Sequence, residues 1–416
     1  MSQRTNDLSE AFEFIPGRLY YVPLRSKPVR QKKAAFFSID DELVYWNFFK
    51  DFGPLNLGQL FRFCQILNEL LADPKLRGKC IYYYSSSNSQ KRANAAFLIS
   101  CYAMIYLGRT PEEAYAPFIN VHPPFPPFHD ATPFECTYKL SVLDCLQGVY
   151  KAMQHNFFNF STFDVEEYEH FEQVEAGDLN WIMPNKFLAF AGPHDRRMRT
   201  REGYDTLTPE HYIPYFKRRN VTLVIRLNRK CYDEKRFERA GIRHLDLVYP
   251  DGTCPPDHIL KRFIEACENN DGAIAVHCKA GLGRTGTCIG AYIMKHFGMT
   301  AAETIGWIRV CRPGSIIGPQ QQFMEHMEPI MRHEGKRFQQ RGGLGLGGNP
   351  GGHLHAGRKG LTQSFDFESK NELKEADAPS QGDFLRSKKG PGNTHKNDHW
   401  TLMQSAQLSP PQHHFH

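Results

Sequence analysis

Apolar and polar positions along the chain fall into two blocks of alternating strand-like and helical pattern, separated by an acidic, aromatic stretch. In the second block the runs KFLAFAG, VTLVIRLN, HLDLVYP and AIAVHC read as buried strands. Between and after them, DEKRFERAG, HILKRFIEACEN and two or three further segments to about Arg337 carry a helical period. Apolar strands alternating with helices predict an α/β domain with a largely parallel sheet. A helix over 140–157, with Leu143, Leu146, Val149, Tyr150 and Met153 on one face, is placed to join the two blocks. The expected division is a first domain over 14–158, an acidic linker over 159–179, a second domain over 180–337 and a disordered tail over 338–416.

The first block carries a faint copy of the second. CIYYYSSSNSQKRANAAFLISCYAMIYLGRTPEEA follows the order of AIAVHCKAGLGRTGTCIGAYIMKHFGMTAAET: apolar strand, polar loop, Arg, apolar helix, Gly-x-Thr, acidic helix start. An internal duplication is expected, and counting six back from Arg92 reaches Ser86 where the second block has a cysteine.

Composition narrows the class. The tail turns to Gly, His, Pro and Ser, too poor in clustered apolar residues to offset the entropy of ordering. Its histidines have no ligand geometry around them, and no metal or cofactor is expected. Eleven cysteines without paired spacing suit a reducing, intracellular setting rather than a disulfide framework or a zinc site. The net charge of +6 is dispersed, without the basic stripe a nucleic-acid footprint shows. No leader pattern is present, and no segment approaches the roughly 20 apolar residues of a membrane span. The tail run RSKKGPGNTHK is a feeble nuclear-import candidate.

The chemistry concentrates between Val276 and Thr287. A buried strand ends at His277-Cys278, and an apolar helix begins after Lys279, Ala280, Gly281, Leu282, Gly283, Arg284 and Thr285. A strand-to-helix loop of this kind turns backbone N–H groups inward beside a helix N-terminus and forms an anion cradle. Gly281 and Gly283 let it curl tightly, and the Arg284 fork can grip two phosphate oxygens. Cys278 at its floor would be held as a thiolate and act as nucleophile. His277 would orient the loop, and Thr285 would offer a hydroxyl to the leaving sulfur. The acid that such a reaction needs is assigned to Asp251, in the mobile loop Tyr249-Pro250-Asp251-Gly252-Thr253. Asp246, inside a strand pattern, and Asp257, suited to a helix N-cap, are its rivals. Gln320 or Gln321 could place an amide near the attacking water.

HCKAGLGRT fits the H-C-x5-R-[ST] signature of protein tyrosine and dual-specificity phosphatases. AIAVHCKAGLGRTGT together with the run Val310 to Gln321 resembles the mitotic-exit dual-specificity phosphatases that reverse cyclin-dependent-kinase phosphorylation, and the likeness extends from about Phe14 to Arg337. The resemblance implies two tandem phosphatase-like domains, the first inactive. It implies phosphoprotein substrates of proline-directed kinases, with phosphoserine followed by proline and a nearby Lys or Arg received by an acidic groove at positions matching Glu169, Glu172 and Asp178. It also implies nuclear or cytoplasmic residence, with nucleolar, centrosomal or spindle sites, and cytoskeletal or nuclear partners through the tail. The stretch from Phe118 to Cys136 looks unusual for the family. Two other readings stay open: an inositol-lipid phosphatase, against which Leu282 stands where a second lysine would serve a polyanionic head group, and a phosphopeptide-binding scaffold.

Overall fold

The computed structural model describes residues 8–201, 203–340, 342 and 380–389. The chain opens with strands β1 (Phe12–Ile15), β2 (Leu19–Leu24) and β3 (Ala34–Phe37). Helix α1 (Leu57–Ala72), strand β4 (Cys80–Ser86) and helices α2 (Ser89–Leu107), α3 (Pro111–Tyr115) and α4 (Val142–Gln154) follow. A reciprocal capping box between Asn56 and Gln59 starts α1, and Asn88 caps α2. Helix α5 (Val165–Glu172) lies within the acidic stretch that was expected to be only a linker.

The second unit begins with β5 (Leu179–Met183) and β6 (Phe187–Ala191), then α6 (Pro209–Arg218), β7 (Val221–Arg226), α7 (Lys235–Glu238) and β8 (Arg243–Asp246). It continues through α8 (Asp257–Glu268), β9 (Ala273–Cys278), α9 (Gly283–Phe297), α10 (Ala301–Cys311) and α11 (Pro319–Gln340). A last helix, α12 (Gln381–Lys388), returns to the second unit.

The two sheets share one plan. Their orders are β1-β2-β4-β3 and β5-β6-β9-β7-β8, each opening with an antiparallel hairpin and continuing parallel. The register agrees to the residue: Leu24, ending β2, pairs with Ser86, and Ala191, ending β6, pairs with Cys278. Ser86 thus stands in the first sheet where the cysteine stands in the second.

The predicted joining helix is α4, a few residues shorter at each end, and it joins by packing as well as by connection. Its Gly148 lies so close to α10 that a Cβ there would come within 2.4 Å of the Glu303 carbonyl oxygen, and Gly306 on α10 returns the close approach toward Cys145. One apolar core accordingly runs through both units, from Phe14 and Phe63 to Ile289 and Trp307. Two expectations are corrected at the C-terminal end. Residues 338–340 complete α11 instead of beginning a tail, and 381–388 form a docked helix. A tail-wide composition average hid a capping box of Ser380 with Asp383 and one apolar anchor, Leu385. The tail histidines and most of the import candidate lie outside the described residues.

Candidate active site

Strand β9 delivers Cys278 to its last position, and α9 starts at Gly283 with no side chain capping its N-terminus. Those N–H groups are therefore left for a guest. Gly281 carries φ of +69°, and a Cβ there would lie 2.0 Å from the Phe190 carbonyl oxygen, so the loop closes only because this residue is glycine. Arg312 holds the loop from behind: its Nε donates to the Gly281 carbonyl at 2.8 Å and its Nη2 to the Ala280 carbonyl at 3.1 Å. With these carbonyls drawn outward, the peptide N–H groups face the cavity.

Arg284 is 3% exposed. Its Nη1 donates to the Tyr249 carbonyl at 2.8 Å, and its Nη2 lies 3.1 Å from Asp251 Oδ1. Its Nε is buried with no partner in the protein, an uncompensated donor that an oxyanion would satisfy. His277 lies beneath the loop, with Nδ1 against the Cys278 carbonyl at 3.0 Å and Nε2 against the Tyr232 hydroxyl at 2.7 Å. Burial holds its imidazole well below the usual histidine range, so at neutral pH the ring is uncharged and keeps a single N–H for these contacts.

Burial by itself would push the Cys278 thiol up. The Arg284 guanidinium, joined by the hydroxyl and N–H of Thr285, outweighs that cost and brings the thiol below its ordinary value, even with the Asp251 carboxylate opposing. Every other cysteine with a resolved shift is pushed upward by burial, including Cys288 on α9, raised to about 12. Among these thiols, Cys278 alone is biased toward the thiolate.

Asp251 meets Arg284 at the mouth of the cradle and also accepts the Gly252 N–H at 3.1 Å. Its rivals sit elsewhere. Asp246 is gripped by Arg226, with Nε at 2.6 Å and Nη2 at 2.7 Å. Asp257 is the first residue of α8, and Pro256, not Asp257, holds the cap position. The two glutamines separate as well. Gln320 lies against Gly283 and ties the Asp251 loop to the loop before α11, its Nε2 donating to the Thr253 carbonyl at 3.0 Å. Gln321 turns to the domain junction, where it bonds Arg309 and Asp130.

Asp130, from the first unit, also accepts the Gly318 N–H at 2.7 Å. It clusters with His129 and Cys136, but its two oxygens are already taken up by Thr132, His129, Gly318 and Gln321. The group makes a better inter-domain hydrogen-bond network than a cation site. Neither Asp130 nor the Arg312 brace was singled out from sequence, because each acts through residues far away in the chain.

The acidic positions also divide. Glu169 is held by a bidentate pair with Arg62, at 3.0 and 2.8 Å. Glu172 and Asp178 converge at the domain junction beside Arg312. Burial raises the Glu172 carboxyl to about 7, and Lys389 and Arg312 keep Asp178 below the ordinary carboxylate range against its burial. Between them lies Lys389, whose Nζ donates to Asp178 at 2.5 Å.

Helix α12 covers this whole face. The Gly382 N–H donates to Asp251 Oδ2 at 2.7 Å, Lys279 pairs with Asp383, and Arg386 bonds His194 and the Gly192 carbonyl. Leu385 enters an apolar pocket formed by Phe48, Ala131, Ala280, Leu282 and Ile317.

The matching loop of the first unit is closed by its own side chains. Asp40 accepts the Ser86 N–H at 2.7 Å, and Asn88 accepts from Gln90 and Lys91 at the start of α2. Three of the N–H groups around that loop are thus already committed, and the position matching Cys278 holds a serine.

Family models match both halves: dual specificity protein phosphatase, N-terminal half, over residues 13–152, and dual specificity phosphatase, catalytic domain, over 208–332. Human dual specificity protein phosphatase CDC14A is 54% identical across 81% of this chain and 57% of its own length. Human CDC14C is 48% identical across 90% of this chain and 83% of its own length. The tyrosine-protein phosphatase CDC14 of Saccharomyces cerevisiae is 39% identical across 77% and 60%. The chain thus spans a little over half the length of the CDC14A relative. A matched pair of sheets with the cysteine kept in one and lost from the other, seen together with these identities, shows that the chain belongs to the CDC14 family of dual specificity protein phosphatases.

Proposed function

We propose that the chain hydrolyses phosphoserine, phosphothreonine and phosphotyrosine in proteins through a phosphocysteine intermediate. We further propose that it favours phosphoserine-proline sites with a nearby Lys or Arg and so opposes cyclin-dependent kinases. The observation that carries the chemistry is the lowered Cys278 thiol beneath an uncapped helix terminus and the unpartnered Arg284 Nε. The Cys278 thiolate attacks phosphorus while the departing alkoxide takes a proton from Asp251. Water then attacks the phosphocysteine and gives its proton to the Asp251 carboxylate, releasing phosphate and restoring the thiolate. Of the two glutamines, Gln320 is the one whose amide lies beside the acid loop and the cradle.

Helix α12 supports the substrate class by filling the positions a substrate would need. Leu385 occupies an apolar pocket at the cradle rim, a fit for a proline beside the phosphorylated residue, and Lys389 occupies the carboxylate pair, a fit for a basic residue. The lipid reading is disfavoured because Leu282 lines that apolar pocket and offers no charge to a polyanionic head group. The scaffold reading is disfavoured because the second unit holds a cysteine biased toward the thiolate beneath an uncapped helix terminus.

The test is phosphate release from phosphoserine-proline peptides, with lysine or norleucine downstream, compared with phosphoinositides. Peptides should be turned over faster than lipids, and the lysine peptide faster than the norleucine one. Glu172→Gln and Asp178→Asn should each shrink the lysine preference, by roughly tenfold where a buried charge pair is lost. Faster lipid turnover would overturn the assignment.

A further inference from the structure

We propose that the silent first domain supplies the aromatic half of the basic subsite, with Phe48 and Phe49 receiving two adjacent basic residues of a substrate segment. The inference rests on the substrate reading above and adds two residues to it. Lys389 Nζ lies 5.9 Å from the centre of the Phe48 ring while bonding Asp178, and the neighbouring Lys388 Nζ lies 5.7 Å from the Phe49 ring. Two consecutive lysines of the molecule's own α12 segment thus meet two consecutive rings from one loop of the other domain. The negative face of each ring attracts the ammonium, more strongly as the site loses water.

The loop is built to hold those rings in place. The buried Asp51 carboxylate accepts the Phe49 N–H at 2.7 Å, the Phe48 N–H at 3.2 Å and the Tyr45 hydroxyl at 2.8 Å, pinning residues 45–49 into one turn. On the catalytic side, Gly314 makes room for the ring: a Cβ there would stand 2.5 Å from Phe48 Cε2. Phe48 is consequently wedged between Gly314 and Leu385, facing the space that Asp178 and Glu172 close from the other side. Carboxylates alone would accept any cation within reach. A ring beside each position adds a second requirement, that positive charge be present at both, and it makes the first domain part of the selection although it performs no chemistry.

The full-length chain is assayed on four phosphoserine-proline peptides that differ only in a downstream pair: Lys-Lys, Lys-norleucine, norleucine-Lys and norleucine-norleucine. Because α12 competes equally with all four, ratios of kcat/KM are independent of how often it is docked. Phe48→Leu and Phe49→Leu should each reduce the advantage of Lys-Lys over norleucine-norleucine by about three- to tenfold, the span expected of a cation on an aromatic face. Phe48→Tyr should keep that advantage, and para-nitrophenyl phosphate turnover, measured in every variant, separates a damaged cradle from a changed peptide preference. If both leucine variants keep the parent ratios while Glu172→Gln lowers them, the aromatic assignment is wrong and the acidic groove stands. If neither the leucine nor the carboxylate variants alter the ratios, the groove reading itself fails.

Discussion

Cys278→Ser should abolish turnover while the protein still takes up phosphopeptide. The loss expected on removing a covalent nucleophile is at least about 10⁴-fold in kcat. Two features separate this residue from an ordinary core cysteine: its pKa direction, opposite to that of the other shifted cysteines, and its place at the end of β9 under uncapped N–H groups. Serine keeps the size but cannot ionise near neutral pH, so the cradle and Arg284 would bind a phosphate that nothing attacks. Phosphate release gives the first measurement and calorimetric binding of a phosphopeptide the second. Residual turnover within tenfold of the parent would end the phosphocysteine mechanism. The thiol makes an independent prediction in the parent protein. Because its pKa is lowered, the fall in alkylation by iodoacetate with falling pH should set in at a lower pH than for a thiol with an ordinary pKa.

Asp251→Asn should slow hydrolysis of phosphoserine peptides by roughly 10²–10⁴-fold, the range for a group that moves a proton in the rate-determining step. The loss should depend on the leaving group. An alkoxide from serine needs protonation as the bond breaks, whereas a nitrophenolate leaves largely unaided, so para-nitrophenyl phosphate should suffer far less. That split distinguishes loss of an acid from general damage to the cradle, which would slow both substrates alike. Asp246→Asn supplies the contrast, since it breaks the pair with Arg226 and should lower stability without changing the ratio of the two substrates. Equal losses on both substrates with Asp251→Asn would remove it from the acid role.

The cradle was legible in the sequence because its parts are contiguous: strand end, two glycines, arginine and helix start follow one another within Val276 to Thr287. The duplicated plan was legible for a similar reason, each βα unit being a local pattern, whereas the order of strands in each sheet was not read from the sequence. What the sequence hid is what arrives from a distance. Arg312 reaches the loop carbonyls from the end of α10, Asp130 reaches Gly318 from the other domain, and Phe48 meets Gly314 across the junction. Nothing in their local pattern marks them, since a buried arginine brace and an ordinary surface arginine look alike before the chain is folded. Of the three acidic positions that the resemblance singled out, Glu172 and Asp178 converge, but Glu169 is committed to Arg62, a partner 107 positions away. Helix α12 was missed because eight residues contribute little to the average composition of a long polar tail. Its stability comes from Leu385 and from ion pairs to the catalytic face, not from helix propensity.

The contacts around Ser86 mean that a cysteine at that one position would not by itself recreate the second unit's thiolate. A sulfur at 86 would sit beside the Asp40 carboxylate, which discourages ionisation, and ahead of a helix whose first N–H groups Asn88 already caps. Several coordinated changes, at Asp40 and Asn88 as well as at 86, would be needed before any intermediate gained reactivity.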